Sequence, residues 1–317
     1  MTISLRARFW RFVMRAAFKN QNLKVEQYHV QSAKSSKWMK QMNSRLPVER
    51  VDIDGLSAAW IRPDGADEKK VHIHMHGGGY VTGFVDSHLM MCVPMAKVLK
   101  RNMLMPEYRL APANPFPAAL EDSLKAYRWL LAQGTDARDI VISGDSAGGG
   151  LALATALALR DAGNPLPAAL ICMSPWVDLN NGSASHAANA QVESVLRTDV
   201  LNEWARFYTE ESNLTNPLVS PIYADLRGLP PLLIQVGRDE ILLDDSLTLA
   251  KRAKAAGVDV TLRIWDDMWH AWPVLGELIP ESGMAFEEMK EFLRGREAFK
   301  DGQVLAEKGF GKNVRDK

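Results

Sequence analysis

The stretch that most constrains this chain is Ile140 to Gly150, read as I-V-I-S-G-D-S-A-G-G-G. A short β-branched run stops at Gly144, Ser146 follows, and Leu151 to Arg160 continues as an Ala/Leu helix. In Gly144-x-Ser146-x-Gly148 a glycine stands two places on each side of the serine. A serine on a strained strand-to-helix turn requires this, because a Cβ at either flanking place would collide with the turn. Such a turn presents the Ser146 hydroxyl at the end of a sheet. It also aims the Ala147 N–H, at the helix start, toward an anion. A glycine-rich loop holding phosphate on the helix N-terminus is the rival reading. No lysine follows these glycines, so the phosphate-loop pattern G-x-x-x-x-G-K-[ST] is absent.

The rest of the chain suits a large α/β domain around that turn. At 317 residues and 47% apolar content it can fill a sizeable core as one domain with an elaboration, or as two small domains. Lys plus Arg equals Asp plus Glu, 38 against 38, so nothing argues for nucleic acid as a partner. Cys92 and Cys172 both lie in apolar runs, which points to buried thiols and a reducing, cytoplasmic setting. No apolar run approaches the length of a membrane span.

Taken in order, the chain opens with six basic residues before its first acid, Glu26: Arg6, Arg8, Arg11, Arg15, Lys19 and Lys24. Leu5, Phe9, Phe12, Val13 and Ala16 fall on one helical face. A secretory signal fits poorly, since Arg11 and Arg15 break the apolar stretches and no A-x-A site follows. A transit peptide fits the charge but has few serines. A basic amphipathic helix covering the domain, touching membrane at most, fits best. Val48 to Ile61 reads as a hairpin around Asp54-Gly55. Pro63 to Lys70 reads as a polar turn. Strands are expected at Val71–Met75, Asn102–Tyr108, Ile140 onward, Ala168–Met173, Leu232–Val236 and Val258–Trp265. Helices are expected at His88–Lys100, Phe116–Leu131, Leu151–Arg160 and Leu242–Ala256. A closing helix capped by Ser282 follows. Asp178 to Pro217 departs from the strand–helix rhythm, with a helix around Trp204, and residues 300–317 read as a loose polar tail. Alternation of this kind means a mostly parallel sheet covered on both faces, with chemistry at the strands' C-terminal ends.

A serine nucleophile needs a base within reach and an acid to orient that base. With a strand-turn-helix serine the chain order is Ser, acid, His. Only His186 and His270 follow Ser146, and His270 comes after the last strand, which makes it the candidate base. The acid should follow the strand ending at Val236. Asp239 and Glu240 both qualify, and the residues alone barely separate them. Negative charge on a carbonyl oxygen under attack needs fixed backbone donors. Directly after a strand, His76-Gly77-Gly78-Gly79 lets the backbone approach substrate, so the Gly78, Gly79 and Ala147 amides are the candidate oxyanion donors. His72, His74 and His76 share one strand face. A metal site is conceivable there. With no cysteine nearby, the better reading is that His76 ties down the glycine loop and the other two are hydrogen-bonded within the fold. No cofactor and no metal are expected.

Read together, these motifs resemble the hormone-sensitive-lipase-like group of α/β-hydrolases, the bacterial family IV esterases. The matching stretches are H-G-G-G-Y-V-T-G (His76–Gly83), E-Y-R-L-A-P (Glu107–Pro112), P-F-P-A (Pro115–Ala118) and G-D-S-A-G-G (Gly144–Gly149). S-P-W-V-D-L (Ser174–Leu179), G-L-P-P-L (Gly228–Leu232), E-I-L (Glu240–Leu242) and His270 complete the set. The resemblance implies an α/β-hydrolase fold with an eight-stranded, mostly parallel sheet. It implies a helical cap from residues 1–45 and 178–217 on a catalytic domain of residues 46–177 and 218–299, followed by the tail 300–317. It implies Ser146 as nucleophile, His270 as base, and Gly78, Gly79 and Ala147 as oxyanion donors. Many members read D-P-L at the acid. Glu240-Ile241-Leu242 stands in that register, and a branch of the family uses glutamate there, so the resemblance favours Glu240 with Asp239 as runner-up. The implied activity is hydrolysis of small, apolar, short- to medium-chain esters through an acyl-enzyme. A lactone hydrolase or acyltransferase on the same residues is the alternative. Plant hormone receptors of this fold lack the catalytic histidine, so a non-catalytic ligand-binding protein is disfavoured by His270. A homodimer is left open.

Overall fold

The computed structural model describes residues 3–19 and 48–309. Its centre is an eight-stranded sheet in the order β1-β2-β4-β3-β5-β6-β7-β8. The strands are β1 (Val48–Ile53), β2 (Leu56–Ile61), β3 (Asp67–Met75), β4 (Arg101–Pro106), β5 (Ile140–Asp145), β6 (Ala169–Met173), β7 (Leu232–Gly237) and β8 (Val260–Trp265). β1 and β2 form the expected hairpin, and β2 runs antiparallel to β4. Asp54 (φ 50°) and Gly55 (φ 89°) both take the left-handed backbone that a two-residue hairpin turn demands. From β4 through β8 every pairing is parallel. β3 begins at Asp67, inside the segment read as a turn. Asn102 and the Glu68 carbonyl are within hydrogen-bond range, and the pairing shifts register between Asp67 and Val71. Such a bulge hides the strand from a simple alternation test.

Connecting helices cover both faces, as a parallel sheet requires. They are α2 (Val85–Leu99), α3 (Ala118–Ala132), α4 (Ala147–Asp161), α6 (Leu243–Ala255) and α7 (Pro280–Gly309). The strand pleat sorts side chains between two cores. Ile140, Ile142, Leu170, Cys172 and Ile234 pack with α3, α4 and α6, whereas Val141, Ile171, Met173 and Leu233 pack with α2 and α7. Each fully buried aliphatic chain contributes roughly 1.5–3 kcal/mol. The closing helix starts at Pro280, so Ser282 lies in its first turn, and it runs through Gly309, beyond the expected boundary at 299. Proline suits a first helical position because its missing N–H would be unpaired there anyway.

Two segments lie across the C-terminal end of the sheet. α1 (Leu5–Met14) is capped by Ser4, whose hydroxyl accepts the Ala7 amide, and passes into one wider turn, Arg15–Lys19. α5 (Thr198–Tyr208) is the helix around Trp204. One expectation is reversed here. Leu5, Phe9 and Phe12, read as the face covering the domain, are exposed at 81%, 60% and 72%. The inward face is Ala7, Trp10 and Met14, packed on Met268, Trp269 and Trp272. Both faces carry apolar residues, so periodicity finds a stripe without telling which stripe turns inward. The candidate cap residues Trp38, Met39 and Met42 lie outside the described residues.

Candidate active site

β5 delivers Ser146 onto a turn that the surrounding backbone over-determines. Ser146 sits at φ 55°, ψ −124°, a conformation that costs an L-residue roughly 1–3 kcal/mol. Its amide donates to the Met173 carbonyl at 2.9 Å, and its carbonyl accepts the Trp176 and Gly149 amides at 2.9 and 3.0 Å. The flanking glycines are explained by contact. A Cβ on Gly144 would stand 2.1 Å from the Gly148 carbonyl oxygen, and one on Gly148 would stand 2.0 Å from that of Met75. Any other residue at either place would push β3, β5 and α4 apart.

Of the two acid candidates, Glu240 is the one that meets the histidine. Its Oε2 accepts from His270 Nδ1 at 3.0 Å. Its Oε1 accepts the Ser174 hydroxyl at 2.7 Å and the Gly237 amide at 2.5 Å. Glu240 is fully buried and His270 nearly so. Asp239 turns away, and its Oδ2 pairs with Arg11 Nη2 of α1 at 2.5 Å. Successive side chains on this turn point to opposite sides, and the register of E-I-L picked the inward one. Burial alone would lower the His270 pKa, but the hydrogen bond and charge of Glu240, helped by Glu193 and Asp145, raise it. Burial, joined by the nearby Glu193 charge, pushes the Glu240 carboxyl up, against the pull of His270 and Ser174. A carboxylate only accepts, so the imidazole proton lies on Nδ1 and Nε2 is left as the acceptor.

The glycine loop follows β3. Gly78 (φ 119°) and Gly79 (φ 64°) take backbone that side chains avoid. A Cβ on Gly78 would stand 2.1 Å from the Thr82 carbonyl oxygen, and one on Gly79 would stand 1.9 Å from the Trp204 ring. Among the described residues, no acceptor is hydrogen-bonded to the Gly78 or Gly79 amide. Ala147 opens α4, where first-turn N–H groups lack helical partners. His76 lies at the base of the loop. Its ring stacks on Tyr108 at 4.2 Å and its Nδ1 meets the Gly77 carbonyl at 2.8 Å. Burial drives its pKa down to about 3, so the ring is neutral. His72 and His74 both meet the Ser143 hydroxyl, at 2.5 and 2.8 Å. Asp145, buried beside the serine, takes the Gly77 amide at 3.1 Å, His74 Nε2 at 3.2 Å and His88 Nε2 at 3.3 Å. Burial opposes its charge, yet His88 and His74 hold its carboxyl well below the usual range. The three alternating histidines therefore serve strand β5 and the glycine loop.

Ser146, His270, Gly77 and Gly78 open on a cavity of about 390 Å³. Its remaining wall is mainly apolar and includes Met14 and Phe18 near α1, Leu196, Val200 and Trp204 around α5, and Val274. A family model described as the α/β hydrolase fold matches residues 72–274. The chain belongs to the α/β-hydrolase fold family. An acetyl-hydrolase of Streptomyces hygroscopicus is 42% identical over 248 residues, 78% of this chain and 83% of that protein. An esterase of the bacterial hormone-sensitive lipase family superposes with a TM-score of 0.85 at 40% identity, covering 93% of this chain and 99% of that one. The structure of EstE5 soaked by p-nitrophenyl butyrate superposes at 0.85 with 38% identity, covering 93% and 99%. This α/β-hydrolase is thus a carboxylic ester hydrolase of the hormone-sensitive-lipase-like group.

Sequence reading missed several groups that the α/β-hydrolase brings to the site. Ser174 donates to Glu240 and accepts the Ala271 amide at 3.1 Å, linking the acid and histidine loops. Its motif, S-P-W-V-D-L, was visible, but nothing local points a serine at an acid far along the chain. His88 and Asp145 escaped for the same reason. His186, the other histidine after Ser146, meets the Thr198 hydroxyl at 3.0 Å instead.

Proposed function

We propose that the protein is a serine carboxylesterase acting on short- to medium-chain esters through an acyl-enzyme. The observation that carries this reading is the buried Glu240–His270 hydrogen bond behind a cavity that His270 and Ser146 both line. In the proposed cycle, His270 Nε2 takes the proton from Ser146 Oγ as that oxygen attacks the ester carbonyl. Glu240 holds the tautomer and stabilises the imidazolium that forms. The amides of Gly78, Gly79 and Ala147 receive the oxyanion, as fixed donors that need no reorganisation when the charge develops. His270 then gives its proton to the departing alkoxide, and water repeats the sequence on the acyl-enzyme. The acyl range is inferred from the cavity, which lies near the small end of ligand pockets. The relatives' names, acetyl-hydrolase and a structure soaked by a butyrate ester, support the same range.

Residues 1–45 and 178–217 form the cap in this proposal, since Met14 and the α5 side chains close the cavity. Among the described residues no helix is long and apolar enough to cross a membrane. Cys92 and Cys172 are buried free thiols, which supports the cytoplasmic reading. Ser146→Ala tests the mechanism. It should keep the fold, abolish turnover of p-nitrophenyl butyrate and lose labelling by a serine-directed phosphonate. Labelling at the normal rate would overturn the nucleophile assignment. A faster rate on emulsified long-chain triglyceride than on soluble butyrate esters would overturn the acyl range.

A further inference from the structure

We propose that Glu193 is a positioning residue for the Glu240–His270 pair, tying the acid and histidine loops to the segment before α5 and adding a second negative charge near the imidazole. Glu193 is fully buried. Its Oε1 accepts the Ser194 and Val195 amides at 2.6 and 2.8 Å and lies 3.5 Å from the His270 amide. Its Oε2 lies 3.4 Å from the Ile241 amide, the residue after Glu240. One carboxylate therefore gathers backbone donors from three segments that are distant in sequence. The turn it folds leads directly into Val195 and Leu196 of the cavity wall.

The surrounding charges make the electrostatic part specific. Glu240, Glu193 and Asp145 all act on His270, and each favours its protonated form. On the other side Arg15 donates to the Glu193 and Gln191 carbonyls at 3.4 and 2.7 Å, and Lys19 to the Leu196 carbonyl at 2.9 Å. Arg11 is engaged by Asp239. These cations hydrogen-bond to main-chain oxygens or Asp239, and Lys19 also feels the Glu193 charge, while the Glu193 carboxylate oxygens themselves face the loop amides. As the acyl-enzyme forms, His270 becomes a cation, and a second buried anion at fixed distance stabilises it without reorganising.

The inference rests on Ser146 and His270 acting as nucleophile and base, and the experiment keeps the two apart. Glu193→Gln retains size and one acceptor oxygen and removes the charge. With p-nitrophenyl butyrate, the acid limb of kcat/KM should move to lower pH, because His270 then loses its proton more easily. Its kcat should fall by up to about 10²-fold, the scale of a small misplacement of catalytic groups, with KM little changed. A purely structural role would lower the melting temperature and leave the acid limb in place. An acid limb at its original pH, or an unchanged kcat, overturns the proposal. Should Glu193→Gln not fold, Glu193→Asp carries the test. The charge then stays on a shorter arm, so kcat should fall with the acid limb unmoved, and a normal kcat overturns the proposal. Ser146→Ala runs alongside. If it stays active, the serine-esterase reading fails. If it is dead while Glu193→Gln matches the parent, only this inference fails.

Discussion

The two walls of the cavity are held by different physics. The sheet-side wall is backbone. Ser146, the glycine loop and the Glu240–His270 loops are fixed by close approaches that leave no room for a Cβ, and by amides donating to buried carboxylates. The outer wall is side chain. α1 and the wider turn after it reach down with Arg11, Arg15 and Lys19, which donate to the carbonyls of Val192, Gln191, Glu193 and Leu196. Backbone packed so closely that a Cβ would overlap its neighbour suits groups whose misplacement by about 1 Å costs a large factor in rate. Long cationic arms suit a surface that selects among apolar chains, because most of their partners are main-chain oxygens that survive any change of side chain. The difference predicts that substitutions in the first wall act on kcat and those in the second on acyl preference.

The largest separation should appear between two adjacent carboxylates that belong to different walls. Glu240→Gln removes the group that holds the His270 tautomer, and turnover should fall by up to roughly 10⁴-fold with geometry and melting temperature nearly intact. Asp239→Asn breaks only the pair with Arg11, and its loss should be far smaller. Steady-state kinetics on p-nitrophenyl butyrate, with thermal unfolding of both variants, decides it. The reverse ranking would make Asp239 the acid and set aside the observed hydrogen bond. Equal severe losses with lowered melting points would mean that the loop moves as a unit.

An intermediate effect is expected where the walls touch. Gly79 meets the Trp204 ring of α5, so Gly79→Ala must move the indole and also strain a backbone at φ 64°. Overpacking of this kind costs about 1–3 kcal/mol, and loss of an aligned oxyanion donor costs on the order of 10²-fold in kcat. Both stability and kcat should drop, and the acyl profile should shift because Trp204 lines the cavity. A variant with parental kcat would show that the Gly79 amide does not serve the oxyanion.

The same division explains what could be read from the sequence. The sheet-side wall is local. Glycines two places either side of Ser146, three glycines after β3 and an acid after β7 are spacing signals, and each arises because neighbouring backbone crosses at that residue. The outer wall is built from pairs far apart in the chain. Arg11 meets Val192 and Asp239, and Glu193, whose carboxylate joins this wall to the acid and histidine loops, meets Ile241 and His270. Nothing near Arg11 or Arg15 distinguishes a guanidinium destined for a carbonyl from one in solvent, so a run of cations suggested a surface helix or a membrane contact. Asp239 and Glu240 lie between these cases. Alternation says that one of them faces His270, but only register against the family motif says which.

The smallest effect is the most informative about the outer wall. Arg11→Ala deletes the ion pair with Asp239 and two hydrogen bonds, to the carbonyls of Asp267 and Val192. Partly exposed pairs of this kind contribute about 0.2–1 kcal/mol, so the melting temperature should barely change. What should change is the seating of α1, and with it Met14, Ala17 and Phe18 in the cavity wall. Loosening that side admits longer chains, so the ratio of kcat/KM for hexanoate over butyrate esters should rise by a few-fold. That corresponds to the roughly 1 kcal/mol by which one methylene is discriminated in an apolar pocket. Turnover of butyrate itself should stay near parental. An unchanged ratio would make α1 a cover without a part in selection. A collapse of kcat on every ester, approaching that of Glu240→Gln, would mean that Arg11 acts through Asp239 on the acid loop. The two walls would then be one mechanical unit, and their separation by kcat and acyl preference would fail.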